Sequence, residues 1–88
     1  MKKYSVKFSP DAFNDLKKLD KELIQRILNK ISYLALNFDS ITPEPLKGNL
    51  KHFYKLRSGS WRVLYSINSG EEKIIIHLIG HRKDIYKI

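Results

Sequence analysis

The chain has 88 residues, which is one domain, and at this size it buries only roughly 60–65% of its unfolded surface, so the core is thin and a deep enclosed pocket is excluded. The 17 Lys and Arg residues against 9 Asp and Glu give a net charge of +8, a field that draws polyanions toward it. There is no cysteine, which excludes a disulfide framework and a thiolate metal site, and no run approaches the ~18 apolar residues of a membrane span.

Lys3 to Phe8 alternates, with Tyr4, Val6 and Phe8 on one side, and predicts a short strand. Ser9 followed by Pro10 is a helix start, serine as N-cap and proline in the first turn. Ala12, Phe13, Leu16 and Leu19 then recur at helical spacing. Asp20 caps a second helix, in which Leu23, Ile24, Ile27, Leu28, Ile31 and Leu34 form a wide apolar stripe that belongs to the core. The two helices read as an antiparallel hairpin.

Asn37 to Leu46, with Pro43 and Pro45, reads as a loop. Three strands follow: His52 to Arg57, Ser60 to Ile67 and Lys73 to His81. Ser58-Gly59 and Asn68-Ser69-Gly70 are the turns between them. On the middle strand Trp61, Val63, Tyr65 and Ile67 share a face and read as core. The order strand, two helices, three-stranded meander predicts an α+β domain, a β-α-α-β-β-β chain with a helix hairpin packed on a small, mostly antiparallel sheet. Arg82 to Ile88 is a helical or irregular tail. The opening Met1-Lys2-Lys3 lacks the apolar run of a signal peptide, and a cytoplasmic location is expected.

The positive charge is concentrated in the second half. Residues 1–46 carry 8 basic and 6 acidic side chains, net +2, while residues 47–88 carry 9 and 3, net +6. No acid falls between Glu44 and Glu71, a stretch that holds Lys47, Lys51, Lys55, Arg57 and Arg62. The three histidines, His52, His77 and His81, have no acidic cluster nearby, and the last two stand more than ~12 Å apart on a strand, so no metal site is expected. No nucleophile elbow and no glycine-rich phosphate loop is present.

What remains is cations and aromatics around the meander. With Ser58-Gly59 as a two-residue loop, Arg57 faces Ser60 and Lys55 lies opposite Arg62. Facing like charges destabilise a sheet, so the pair makes sense if an anion sits between them. Either Phe53 or Tyr54 must point away from the core, where it offers a ring for a base to stack on. The last strand empties into His81, Arg82 and Lys83, and Tyr86 follows one turn later. Arg82 offers a planar fork suited to phosphate.

Tyr54-Lys55-Leu56-Arg57-Ser58-Gly59-Ser60-Trp61-Arg62-Val63-Leu64-Tyr65 and Ile79-Gly80-His81-Arg82-Lys83-Asp84-Ile85-Tyr86 together resemble the RelE/ParE toxin superfamily. The opening Phe8-Ser9-Pro10-Asp11-Ala12 and the order of elements fit it as well, so the likeness runs over nearly the whole chain. The resemblance implies the toxin of a type II toxin–antitoxin system, a ribosome-dependent endoribonuclease that cuts messenger RNA without a cofactor or metal. It implies a cognate antitoxin with an acidic segment, held in a hetero-oligomer. Lys55, Arg62, Arg82 and Tyr86 match the family's catalytic positions, and His81 stands beside Arg82 where it would share proton transfer. Lys47 matches a basic contact position, and Lys51, His52, Phe53, Arg57 and Lys83 complete the expected RNA-binding set. The family's best-known form has a second lysine where this sequence has Phe53, a place Lys51 or His52 would serve, and its tail is longer. Two other readings share this sequence pattern: a ParE-like poison of DNA gyrase, and a nucleic-acid-binding module that cuts nothing.

Overall fold

The computed structural model describes residues 4–48 and 52–85. The alternating segment forms strand β1 (Ser5–Phe8). Both expected caps are present. Ser9 is extended (φ −70°, ψ 162°) and its Oγ accepts from Ala12 N at 3.1 Å, starting helix α1 (Pro10–Lys17). Asp20 does the same for Leu23 N at 2.9 Å, starting helix α2 (Lys21–Leu36). Satisfying otherwise orphaned first-turn N–H groups in this way stabilises each helix by about 1 kcal/mol. Ala12, Ile27, Ile31, Leu34 and Ala35 are buried, with Leu16, Leu19 and Leu23 packed at the margin. Phe13 departs from its expected place in the stripe. Ala12, Leu16 and Leu19 already fill the sheet-facing side of α1, and Phe13, about 100° round from Ala12, is 54% exposed, with Lys17 Nζ 5.3 Å from its ring centre.

The segment expected to be a loop contains a 3₁₀ turn, Phe38–Ser40, and a two-residue strand, β2 (Glu44–Pro45). Proline stops a helix but not an edge strand, where its missing N–H can face outward. Strands β3 (Tyr54–Ser58), β4 (Trp61–Asn68) and β5 (Lys73–His81) follow. The sheet runs β1-β5-β4-β3-β2, antiparallel except where β1 joins β5 in parallel. The α+β architecture thus stands as expected, with one further strand.

The β3–β4 register corrects the expected pairing. The loop residues are Gly59 and Ser60, not Ser58 and Gly59, and Ser58 pairs with Trp61. Gly59 has φ +60° while Ser60 is not in the left-handed region, so the glycine occupies the first central position that a type II′ turn reserves for it. Arg57 therefore faces Arg62, and Lys55 faces Leu64 rather than Arg62. Sliding the loop by one residue moves every cross-strand partner by two, so the faces themselves are unchanged and Lys55, Arg57 and Arg62 still share one.

The β4–β5 ladder carries a bulge. Leu64 pairs with Leu78 and Tyr65 with Ile76, which leaves His77 as an extra residue. Ile74, Ile76 and Ile79 consequently join Val63, Tyr65, Ile27, Ile31 and Leu34 in the main core under the helices. Leu78 turns to the other face, into a smaller cluster of Leu46, Leu64 and Ile85 with Phe53. Where β1 ends, side chains of α1 take over the edge of β5: Ser9 Oγ donates to His77 O at 3.0 Å and Asp15 Oδ2 accepts from Ile79 N at 3.0 Å.

Candidate functional site

The face without helices is organised in rows, each two residues, or about 7 Å, from the next along the strands. At the hairpin end stand Arg57, Arg62 and Gly80. The middle row is Lys55, Leu64 and Leu78. Beyond it Ser66 pairs with Ile75, and the bulge residue His77 comes in beside them: Ser66 Oγ lies 2.7 Å from His77 Nε2, and the Phe53 and His77 rings meet edge to face at 5.0 Å.

An anion does sit between two of the cations, and it comes from the protein. Glu44 Oε2 lies 3.2 Å from Lys55 Nζ and 3.1 Å from Arg57 Nη2, and accepts from Arg57 Nε at 3.2 Å. Strand β2 holds it there by pairing Glu44 with Lys55. Partial desolvation would raise the Glu44 carboxyl, but hydrogen bonds and charge from Lys55 and Arg57 outweigh it and hold the group below its ordinary value. Arg62 does not share this anion. Its Nη1 donates to Gly59 O at 2.8 Å and Trp61 O at 2.9 Å, fixing the guanidinium at the turn, while its Nε and Nη2 have no hydrogen-bond partner among the described residues.

Arg82 enters from β5. Its backbone N donates to Ser60 O at 2.8 Å, one step beyond the Trp61–His81 pair, which sets it beside the same hairpin turn as Arg62. His81 is not brought to that face. Its ring packs edge to face on Trp61 at 5.6 Å, on the helix side, and its Nδ1 accepts from Lys83 N at 3.2 Å, bracing the turn that carries Arg82. Lys83 is exposed. At the opposite end Lys47 and His52 are exposed, flanking Phe53, whose carbonyl accepts from Leu46 N at 3.0 Å. Lys51 and Tyr86 lie outside the described residues. Ile85, the residue before Tyr86, is buried against Gly80: a Cβ on that glycine would come 3.1 Å from Ile85 Cδ1. The bare strand surface at Gly80 is thus what lets Ile85 lie on the open face.

Glu44, Ser66 and His77 belong to this face without having been expected there. Glu44 is hidden because a single residue between two prolines carries no strand signal, although a lone acid ahead of a long basic stretch is the available clue. Ser66 and His77 are brought together by a bulge, which a period-two pattern does not reveal.

A five-stranded sheet covered by two helices on one side, with a basic, open second side, defines a small two-layer α+β toxin fold. Residues 6–86 match the family described as the ParE toxin of type II toxin–antitoxin system, parDE. Toxin RelG of Mycobacterium tuberculosis is 28% identical, over 96% of this chain and 97% of its own, and Toxin RelE of the same organism is 26% identical, over 97% and 88%. The crystal structure of the toxin–antitoxin complex RelBE2 from Mycobacterium tuberculosis holds a chain 27% identical to this one, with a TM-score of 0.83 over 96% of this chain and 97% of that one. The chain belongs to the ParE toxin family of type II toxin–antitoxin systems, within the RelE/ParE superfamily.

Proposed function

We propose that this toxin is a cytoplasmic, ribosome-dependent endoribonuclease that cuts messenger RNA and needs no metal. The observation that carries the reading is the hairpin end of the open face: Arg57 opposite Arg62, Lys55 on the diagonal, and the Arg82 turn hydrogen-bonded to the same loop. Four cations grouped on one open face suit a phosphodiester held between two macromolecules.

Cleavage requires the 2′-hydroxyl to lose its proton, the crowded phosphate to be stabilised and the 5′-oxygen to gain a proton. In our assignment Tyr86 takes the 2′-hydroxyl proton as general base, with Lys55 assisting. The 2′-oxygen bonds to phosphorus, the bond from phosphorus to the 5′-oxygen breaks, and the products are a 2′,3′-cyclic phosphate and a 5′-hydroxyl. Arg62 Nε and Nη2 hold the phosphate oxygens, and Arg82 stabilises the leaving 5′-oxygen, which takes its proton from water. Lys47, His52, Arg57 and Lys83, with Lys51, guide the RNA backbone. His81 acts through the Arg82 turn.

The antitoxin partner follows the same chemistry. The RelBE2 relative is a toxin–antitoxin complex, and Glu44 is a carboxylate already seated on the cations of this face. Both support an acidic antitoxin segment that covers Lys55, Arg57 and Arg62 and folds as it binds.

The test adds the protein to a translation reaction and maps message 5′ ends by primer extension. Wild type produces new ends within ribosome-covered codons. Arg62→Ala and Arg82→Ala each reduce them ~10²–10³-fold, the magnitude of one well-placed electrostatic donor. Undiminished cutting by both variants overturns the assignment. The family's ParE description favours a second reading, action on DNA gyrase; it would show as gyrase-linked DNA breaks with intact message.

A further inference from the structure

We propose that Phe53, Ser66 and His77 form a base-reading subsite on the open face, for one unstacked nucleotide of the RNA strand whose phosphate lies at the arginine pair. The inference rests on the RNA reading above and adds to it what selects the sequence.

The three side chains meet beside the β5 bulge through the Ser66–His77 and Phe53–His77 contacts, and Ser66 lies four residues, or about 13 Å, along β4 from Arg62. His77 reaches this face because it is the extra residue of the β5 bulge. Bulges recur beside functional sites, where they re-aim a side chain. The residue is fixed from both sides: Ser9 Oγ holds its carbonyl from the helix layer, and Ser66 Oγ holds Nε2 on the open layer. The other ring nitrogen, Nδ1, has no hydrogen-bond partner among the described residues. Among the described residues no fully buried side-chain nitrogen or oxygen lacks a partner, so Nδ1 is at least partly accessible. Partial burial lowers the imidazole's pKa, which keeps it neutral near pH 7.

This chemistry fits a base rather than a phosphate. A neutral imidazole adds no charge for an anion, but it offers one directed hydrogen bond. The Ser66 hydroxyl can donate to Nε2 or accept from it, and that choice makes Nδ1 donor or acceptor. Phe53, perpendicular to His77, supplies the ring on which an unstacked base lies while its edge meets Nδ1. A purely structural arrangement would place an aliphatic residue at His77 beside Leu78, needing no hydroxyl partner on β4. A polar pair set at the margin of the Leu46, Leu64 and Ile85 cluster is a local departure from packing preference, of the kind found at sites of recognition.

The experiment maps cut sites in the same translation reaction, with the full chain, and scores cleavage by the base at each position around the cut. Wild type favours one base at one fixed position roughly tenfold, the scale of a single stacking and hydrogen-bonding contact. Ser66→Ala and His77→Phe collapse that ratio to within about twofold, because both lose the directed hydrogen bond. Arg57→Ala lowers cutting at all sites and keeps the ratio. A wild-type ratio retained in Ser66→Ala and His77→Phe overturns the subsite, and so does wild-type cutting without base preference, each leaving the ribonuclease reading intact. Absence of any wild-type cutting removes the ribonuclease reading and the subsite with it. Ser66→Ala, the milder change, keeps the test decisive if His77→Phe fails to fold.

Discussion

One sheet presents two faces of opposite character. Under the helices lie Val63, Tyr65, Ile74 and Ile76, all nearly inaccessible to water. On the open side the same strands carry Arg57 opposite Arg62, with Glu44 drawn in beside them. The covered face is chosen for packing, since every residue there removes apolar surface from water. The open face departs from that rule at each end and keeps only a small apolar patch between. The fold's stability therefore resides in one layer and the proposed chemistry in the other, so mutations should separate the two.

The largest effect on stability is expected at Ile76→Ala, which should cost about 2–5 kcal/mol in denaturant unfolding, the range for truncating a fully buried aliphatic side chain. Arg62→Ala should do the reverse: cleavage falls ~10²–10³-fold, as above, while unfolding shifts by about 1 kcal/mol, the worth of its bonds to the hairpin carbonyls. A variant of Arg62 that unfolds the protein would break the separation. Gly80→Val tests the seam between the layers. Its side chain meets Ile85 and should cost about 1–3 kcal/mol by overpacking, with a loss of cleavage larger than that of any covered-face variant of equal stability. Ser9→Ala removes both the cap of α1 and the bond to the His77 carbonyl, and should cost about 1–2 kcal/mol in thermal or chemical melting.

The smallest effect is a pH dependence. His77 has a folded pKa below its ordinary 6.5, so the unfolded chain binds more protons in that window and stability declines as pH falls below about 6.5. The contribution is complete above the unfolded value and is lost as pH drops through the folded one. His77→Phe should flatten this slope. A slope unchanged in the variant would show that His77 is not its source.

Much of the covered layer was legible in the sequence. Ser9, Asp20 and the run Ile27, Ile31 and Leu34 are local signals that the structure uses, while Ile24 and Leu28 of the same stripe stay only partly buried. The alternation of Trp61, Val63, Tyr65 and Ile67 correctly marked the inner face of β4. Register was harder. A serine before and after Gly59 makes two turns available, and only the backbone angle decides that the glycine comes first. Through that one residue the expected Lys55–Arg62 pair became an Arg57–Arg62 pair. Glu44 and His77 depend on contacts far along the chain, through a two-residue strand and a bulge, for which local patterns hold no sign. The resemblance of the GHRKDIY segment drew attention to Arg82, yet the strand pairing sends its neighbour His81 to the opposite face.

The parallel pairing of β1 with β5 has a consequence in time. Ser5 pairs with Lys73, and Ser9 and Asp15 hold the same strand. During synthesis the first strand and first helix wait for residues 73–81 before they gain their main partner. Arg62 waits too, since β5 supplies both the far side of β4 and the Arg82 turn. Contacts spanning this much sequence form slowly because loop closure precedes their reward. The open face therefore gains its far strand and the Arg82 turn only after residues 73–82 have been made, long after both helices are available.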